Sequence, residues 1–134
     1  MARALPKILT RLQCLGMCWL MMIYKIFRAQ EWADMQAAGE TRGAPVDLAD
    51  GYVHFSTAQT VAETAAKHFA GEDGLVLLAC DSAAMGQDLR WEPSRGGALF
   101  PHLYRMFRMD DVAWAKPLPL QQGQHVFPEG VLCN

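Results

Sequence analysis

Residues 89–104 read LRWEPSRGGALFPHLY, and this stretch is the most informative part of the sequence for predicting the fold. A short strand, Leu89–Glu92, ends in a charged pair and runs into a loop with two consecutive glycines. The chain then returns through Pro-His-Leu-Tyr, with an extended segment predicted over 103–107. A second stretch, residues 51–57, reads GYVHFST. Most of the side chains that could bind a ligand or take part in catalysis lie in these two stretches. We therefore expect the functional site where the two stretches meet.

The composition is that of one globular domain. The chain has 134 residues, of which 51% are apolar and 19% charged, with a net charge of −2. A domain of this size buries a core without disulfides or metals. The mild acidity argues against nucleic acid held by bulk charge. The four cysteines contain no C-x-x-C pair, which predicts reduced thiols and a cytoplasmic protein.

Residues 1–21 form an N-terminal extension with three competing interpretations. Three basic residues precede Leu12–Tyr24, a run of 13 residues without a charge. That run is shorter than the roughly 20 residues that span a bilayer, so we expect no stable membrane insertion. Either the start codon has been assigned too far upstream, or the extension is a targeting or membrane-touching segment, or it is a structural helix. The first interpretation is favoured, because Met21 and Met22 directly precede the first strand pattern.

The hydrophobic pattern predicts five strands and two helices in one domain over residues 22–118. The fold class is therefore α+β, with a mixed, mainly antiparallel sheet. Residues 40–50 are expected to be irregular, and residues 119–134 to form a flexible tail. The strands are Met22–Phe27, Gly51–Phe55, Leu75–Cys80, Leu89–Glu92 and Val112–Leu118, and the helices are Gln30–Ala38 and Ser56–Phe69.

His54 is the first candidate site residue. Side chains alternate along a strand, so Val53 and Phe55 face the core and His54 faces outward or into a cleft. Ser56 and Thr57 follow, and Ser-x-x-Gln at Ser56 predicts a capping box that starts the second helix. A helix N-terminus suits an anion. The alternative is an exposed strand histidine beside an ordinary helix cap.

Glu92 is the candidate carboxylate. Strand alternation places Arg90 and Glu92 on one face and Trp91 on the other. A carboxylate at a strand end can act as a general base, hold a sugar hydroxyl or stabilise a developing cation. The alternative is an Arg90–Glu92 pair on the strand with only a small effect on stability.

The segment 90–108 also carries an excess of positive charge. His102 and Tyr104 share a face if the segment is extended. Four arginines against one glutamate leave a local charge of +3, which favours an anionic small molecule. The arginines are Arg90, Arg95, Arg105 and Arg108. A solvated loop is the alternative, and the histidine spacing predicts no metal site.

The two motifs, in this order, resemble the small bacterial family known as domain of unknown function 952, over roughly residues 22–118. The resemblance implies a fold similar to that of ADP-ribosyltransferases and RNA 2′-phosphotransferases, in which a split sheet grips NAD. It implies that Ser56 and Thr57 lie beside the nicotinamide, that Glu92 stabilises the transition state, and that NAD is the candidate cofactor. With the histidines singled out above, the expected catalytic residues are Glu92, His54 and His102. Lys25 stands where related sequences commonly carry histidine, and it is expected to hold a phosphate. Taking the residue pattern and the resemblance together, the expected ligand-binding residues are Lys25, Ser56, Thr57, Arg90, Trp91, Arg95 and Tyr104.

Three functions remain open at this point. The first is transfer of an ADP-ribosyl group, with Glu92 stabilising positive charge at the ribose and Arg90 and Arg95 holding phosphate. The second is a non-catalytic module that binds an anionic small molecule or nucleotide in the same cleft. The third is an accessory protein that uses exposed apolar surface, including Met106 and Trp114, to bind an unidentified partner protein.

Overall fold

A computed structural model describes residues 21–132. The N-terminal extension up to residue 20, with Cys14 and Cys18, and residues 133–134, with Cys133, lie outside the described residues. The strands are β1 Met22–Arg28, β2 Glu40–Thr41, β3 Val53–His54, β4 Leu75–Asp81, β5 Leu89–Pro93, β6 Leu99–Leu103, β7 Phe107–Arg108, β8 Val112–Leu118, β9 Leu120–Gln121 and β10 Gln124–His125. The helices are α1 Ala29–Ala38, α2 Pro45–Asp50, α3 Val61–His68 and α4 Ser82–Met85.

The central sheet has the order β1-β4-β8, and both of its pairings are antiparallel. Its middle strand, β4, is apolar from Leu75 to Cys80 because both faces of the sheet are covered. One core cluster, with Phe27, Leu78 and Phe107, packs on one face. A second, with Leu77 and Leu118, packs on the other. The apolar run in β4 therefore reflects burial on two sides.

A second sheet, with the order β3-β6-β5, joins the first through a single bridge. Tyr24 N–H donates to Ser56 O, and Ser56 N–H donates to Tyr24 O, each at 2.8 Å. Beyond this bridge β1 and β3 part, so the two sheets form one surface that is split along most of its length. The split positions the functional site.

The α+β class is confirmed, with two corrections. Every pairing between strands of the described residues is antiparallel, so no mixed sheet forms among them. Four α-helices stand in residues 21–132, where two were expected. The most important addition is α2, which lies in the segment predicted to be irregular. Pro45 opens it, where a missing N–H costs nothing, and Gly51 ends it with a left-handed φ of 86°.

The predicted capping box at Ser56 is wrong. The backbone of Ser56 is engaged by Tyr24, and its hydroxyl lies 2.9 Å from Thr64 Oγ1. A turn over Thr57–Thr60 follows, and α3 begins only at Val61. The extended segment predicted after 103 is also displaced, because β6 ends at Leu103. His102 therefore lies inside a strand.

The segment after Pro119, expected to be a flexible tail, carries the hairpin β9–β10. His125 Nε2 lies 2.8 Å from Glu72 O, and Val131 is buried against the second core cluster. Among residues 21–132, no helix has the length and apolar character needed to cross a membrane.

Candidate functional site

A cleft of about 580 Å³ opens where β1 and β3 part. Its walls are apolar side chains of both strands and of β6, including Ile26, Phe55 and Phe100. Polar groups from the same strands converge on it. They are Lys25, His54, Ser56 and His102, with Arg28 and His68 also lining the cleft.

Asp47 of α2 fixes the position of His54. The Asp47 side chain is fully buried and contacts four donor groups. His54 N–H donates to Oδ1 at 2.9 Å, and His54 Nδ1 lies 2.6 Å from the same oxygen. Ala44 N–H and Lys25 Nζ each donate to Oδ2 at 2.7 Å. Although burial alone would raise the pKa of Asp47, the contacts with His54 and Lys25 outweigh it and lower that pKa.

Lys25 is part of the wall of the cleft. Besides Asp47, its ammonium group donates to His54 O at 2.9 Å. Burial lowers the pKa of Lys25, and the adjacent Asp47 carboxylate limits the decrease. These two short hydrogen bonds orient the ammonium group of Lys25 toward Asp47 and the backbone of His54.

His102 has its own carboxylate partner. His102 lies directly across from His54 on β3 and from Arg90 on β5. Its Nδ1 is 2.8 Å from Glu92 Oε1, and the Tyr104 hydroxyl donates to the same oxygen at 2.7 Å. These two hydrogen bonds lower the pKa of Glu92. The bond to Glu92 also raises the pKa of Tyr104.

Tyr52 is a site residue that the sequence analysis missed. Its ring centroid lies 4.7 Å from that of His54, 4.3 Å from His102 and 5.0 Å from Tyr104. The two histidine rings are 5.2 Å apart. Tyr52 precedes His54 by two residues, so strand alternation was the signal that places both on one face.

Asp47 was also missed, and its signal was indirect. Lys25 interrupts an otherwise apolar strand, and a buried ammonium group requires an acidic partner. The sequence alone does not say which acid supplies it, because Asp47 lies 22 residues away.

Three of the remaining expected residues, Arg90, Trp91 and Thr57, are not among those that line the cleft. Arg90 stacks on the Tyr104 ring at 4.7 Å. Trp91 lies opposite Pro101 on the other face of the sheet. The Thr57 hydroxyl contacts Thr60 Oγ1 at 3.1 Å. Ser56 does line the cleft. The side chain of Arg95 lies outside the described part of the structure.

The positive charge of segment 90–108 is largely compensated by acids outside that segment. Arg105 makes a bidentate ion pair with Asp111, with N–O distances of 2.8 and 2.9 Å. Arg108 Nε lies 3.9 Å from Glu40. The local excess of +3 therefore does not form an anion site by itself, because only sequence neighbours enter such a count.

The arrangement is suited to acid–base chemistry. Each imidazole contacts a carboxylate through Nδ1, which orients the ring, and a histidine held in this way can act as a general base. Ser56 has no such base, since its hydroxyl contacts Thr64. Within residues 21–132, no three His, Cys, Asp or Glu side chains are arranged to hold a metal ion.

Comparison with known proteins shows the family. Residues 26–115 match the family described as "Protein of unknown function (DUF952)", and the chain belongs to it. A crystal structure of protein CC0527 from Caulobacter crescentus is similar, with 46% identity and a TM-score of 0.76. The match covers 78% of this chain and 93% of that one. The solution structure of CC0527 matches with a TM-score of 0.70 and covers 90% of that chain. No curated protein matches.

Proposed function

We propose that the cleft binds a nucleotide that carries a planar amide, of which NAD is the example, and that the protein is an ADP-ribosyl-type transferase. The observation that carries this proposal is an open strand edge in the wall of the cleft. That edge belongs to Ile26 on β1.

The hydrogen-bonding groups of Ile26 point into the split. The direction of backbone hydrogen bonds alternates along a strand, so Ile26 points the same way as Tyr24, which pairs with Ser56. In a continuous sheet the next pair would join Ile26 to His54. No such pair forms, because β1 and β3 have parted. An N–H donor and a C=O acceptor on one strand edge complement a carboxamide, which offers one of each.

The size and lining of the cleft also support a nucleotide. A volume of about 580 Å³ lies within the range of small-molecule sites. Phe69, which lines the cleft and is only partly buried, supplies apolar contact area for a planar ring.

His102 and Glu92 supply the chemistry of transfer. In such a reaction the bond from ribose C1′ to the nicotinamide nitrogen breaks, and its electron pair leaves with nicotinamide. An acceptor hydroxyl or amine forms the new bond to C1′ and gives its proton to His102. Glu92 stabilises the imidazolium that results. Its lowered pKa keeps this carboxylate ionised at neutral pH.

Nicotinamide release from NAD by the full-length chain tests the proposal. Chromatography should show release by wild type, a loss of at least about 100-fold in His102→Gln, and a smaller loss in Glu92→Gln. Lys67→Gln is the control, because Lys67 lies on the exposed face of α3 in a pair with Glu63. Equal release by wild type and His102→Gln would contradict the assigned role.

A second candidate is a non-catalytic module that binds the same ligand. It is favoured by His54, whose two ring nitrogens both face carboxylates, Asp47 at 2.6 Å and Asp50 at 2.9 Å. A ring that is engaged at both nitrogens holds a conformation and is poorly placed to exchange protons. This function predicts that NAD raises the melting temperature and is recovered unchanged.

A further inference from the structure

A set of hydrogen bonds within the protein keeps the sheet split, whatever the cleft binds. It lies at His54, the residue that a continuous sheet would pair with Ile26. Each of the two backbone groups that His54 directs toward β1 has a side-chain partner. The N–H donates to Asp47 Oδ1 at 2.9 Å, and the C=O accepts from Lys25 Nζ at 2.9 Å.

Lys25 and Asp47, which take the place of Ile26 as hydrogen-bond partners of the His54 backbone, also contact each other. Lys25 Nζ lies 2.7 Å from Asp47 Oδ2, and the two side chains are 7% and 0% exposed. The pair therefore supplies one donor and one acceptor, as a neighbouring strand would. It occupies the position where β1 and β3 would otherwise meet.

The chain makes room for this pair at Gly43. A Cβ on Gly43 would collide with the Asp47 carboxylate, and the φ angle there is +104°. Pro45 then starts α2, which carries the buried Asp47 in its first turn. The approach of α2 to the sheet is set by this buried carboxylate.

We infer that Lys25 and Asp47 form a polar wedge that holds β1 and β3 apart, and that Asp47 is the residue that positions His54 in the cleft. This assigns Lys25 a structural task in place of ligand binding. The wedge keeps the backbone edge of Ile26 open.

Amide hydrogen exchange of the full-length, ¹⁵N-labelled protein tests the wedge without any ligand. In wild type, the Ile26 amide should exchange at least about 100-fold faster than the Tyr24 amide, because only Tyr24 is paired across the split. The His54 amide, which donates to Asp47, should be protected. An Ile26 amide as protected as that of Tyr24 would overturn the inference.

The double substitution Lys25→Met with Asp47→Leu tests cause. A buried ion pair replaced by apolar side chains of similar size often leaves stability unchanged. With the wedge removed, His54 should pair with Ile26, and protection of the Ile26 amide should rise to that of Tyr24. A folded double variant with Ile26 still exchanging as in wild type would contradict the wedge. If this variant does not fold, the wild-type comparison decides.

Asp50→Asn is the matched control. Asp50 contacts the same imidazole as Asp47, at Nε2, and no described hydrogen bond joins it to Lys25 or to the His54 backbone. It should leave exchange at Ile26 and His54 unchanged. An increase in Ile26 protection in this variant would assign the split to the imidazole contacts and overturn the role of the wedge. This outcome is separate from NAD binding, which the exchange experiment does not use.

Discussion

Replacing Asp47 with asparagine should strongly destabilise the protein, because Asp47 is one partner of a buried ion pair. Asparagine keeps the shape of the side chain and removes its charge. The Lys25 ammonium then stays buried, at 7% exposure, without a carboxylate partner, and the single amide oxygen cannot serve all the donor groups that the two carboxylate oxygens serve. The His54 ring also loses the charged partner of Nδ1, which lies at 2.6 Å in wild type.

The magnitude follows from the burial of the pair. Removing one partner of a buried ion pair costs about 3–5 kcal/mol, because the other charge is left uncompensated. A domain of this size has a total stability of about 5–15 kcal/mol. With a urea slope of roughly 1–3 kcal/mol/M, the unfolding midpoint should fall by about 2 M. Tryptophan fluorescence in urea at pH 7 measures this shift.

The loss should depend on pH with a definite sign. The pKa of Asp47 is lowered in the folded state, so its carboxylate contributes stability above the unfolded pKa of about 3.9. That contribution is lost as pH falls through the folded pKa. Asp47→Asn has no such group. The stabilities of wild type and Asp47→Asn should therefore converge as pH falls through the folded pKa of Asp47.

Asp50→Asn is again the control, since Asp50 is half exposed and contacts only the outer nitrogen of His54. It should cost less than about 1 kcal/mol at pH 7. A loss below about 1 kcal/mol for Asp47→Asn, or an equal loss at neutral and acid pH, would refute the reasoning.

Three further predictions concern stability. Gly43→Ala should cost about 1–3 kcal/mol beyond Gly39→Ala in thermal unfolding, because both positions have a positive φ but only Gly43 lies against Asp47; equal costs would exclude that collision. Because folding lowers the pKa of Glu92, wild type should lose stability as pH falls through the pKa of Glu92 in the folded state. Glu92→Gln should lose less stability in the same acid titration, and parallel titration curves would contradict this. Phe107→Ala should lower the free energy of unfolding in urea by about 3–5 kcal/mol, since Phe107 is fully buried in the first core cluster. A loss below about 1 kcal/mol would contradict this prediction.

The strands of the central sheet were readable from the sequence because they carry long apolar runs. The predicted bounds of β8, Val112–Leu118, are those observed. By contrast, α2 has only six residues, begins with proline and shows no helical period. A tertiary contact, the burial of Asp47, explains why it forms. Such a contact leaves no local pattern, so residues 40–50 looked irregular.

The candidate site was partly readable for the same reason. Strand alternation correctly placed Val53 and Phe55 in the core and His54 on the opposite face. It did not show that Glu92 contacts His102 and Tyr104, which lie on other segments of the chain. It did not show that β1 and β3 part after one bridge, which depends on pairing between distant segments. Lys25 was interpreted from its charge alone, and its partner is visible only in three dimensions.

The most direct measurement of the central claim is an NMR titration of the ¹⁵N-labelled, full-length chain with NAD. If the cleft binds the nucleotide through the open strand edge, the backbone amide of Ile26 should shift strongly, with smaller shifts at His54 and His102. Amides of β8, which forms the far edge of the central sheet, should not move. Saturating shifts confined to residues outside the cleft, or no shifts at millimolar NAD, would contradict the assignment of this cleft as a nucleotide site.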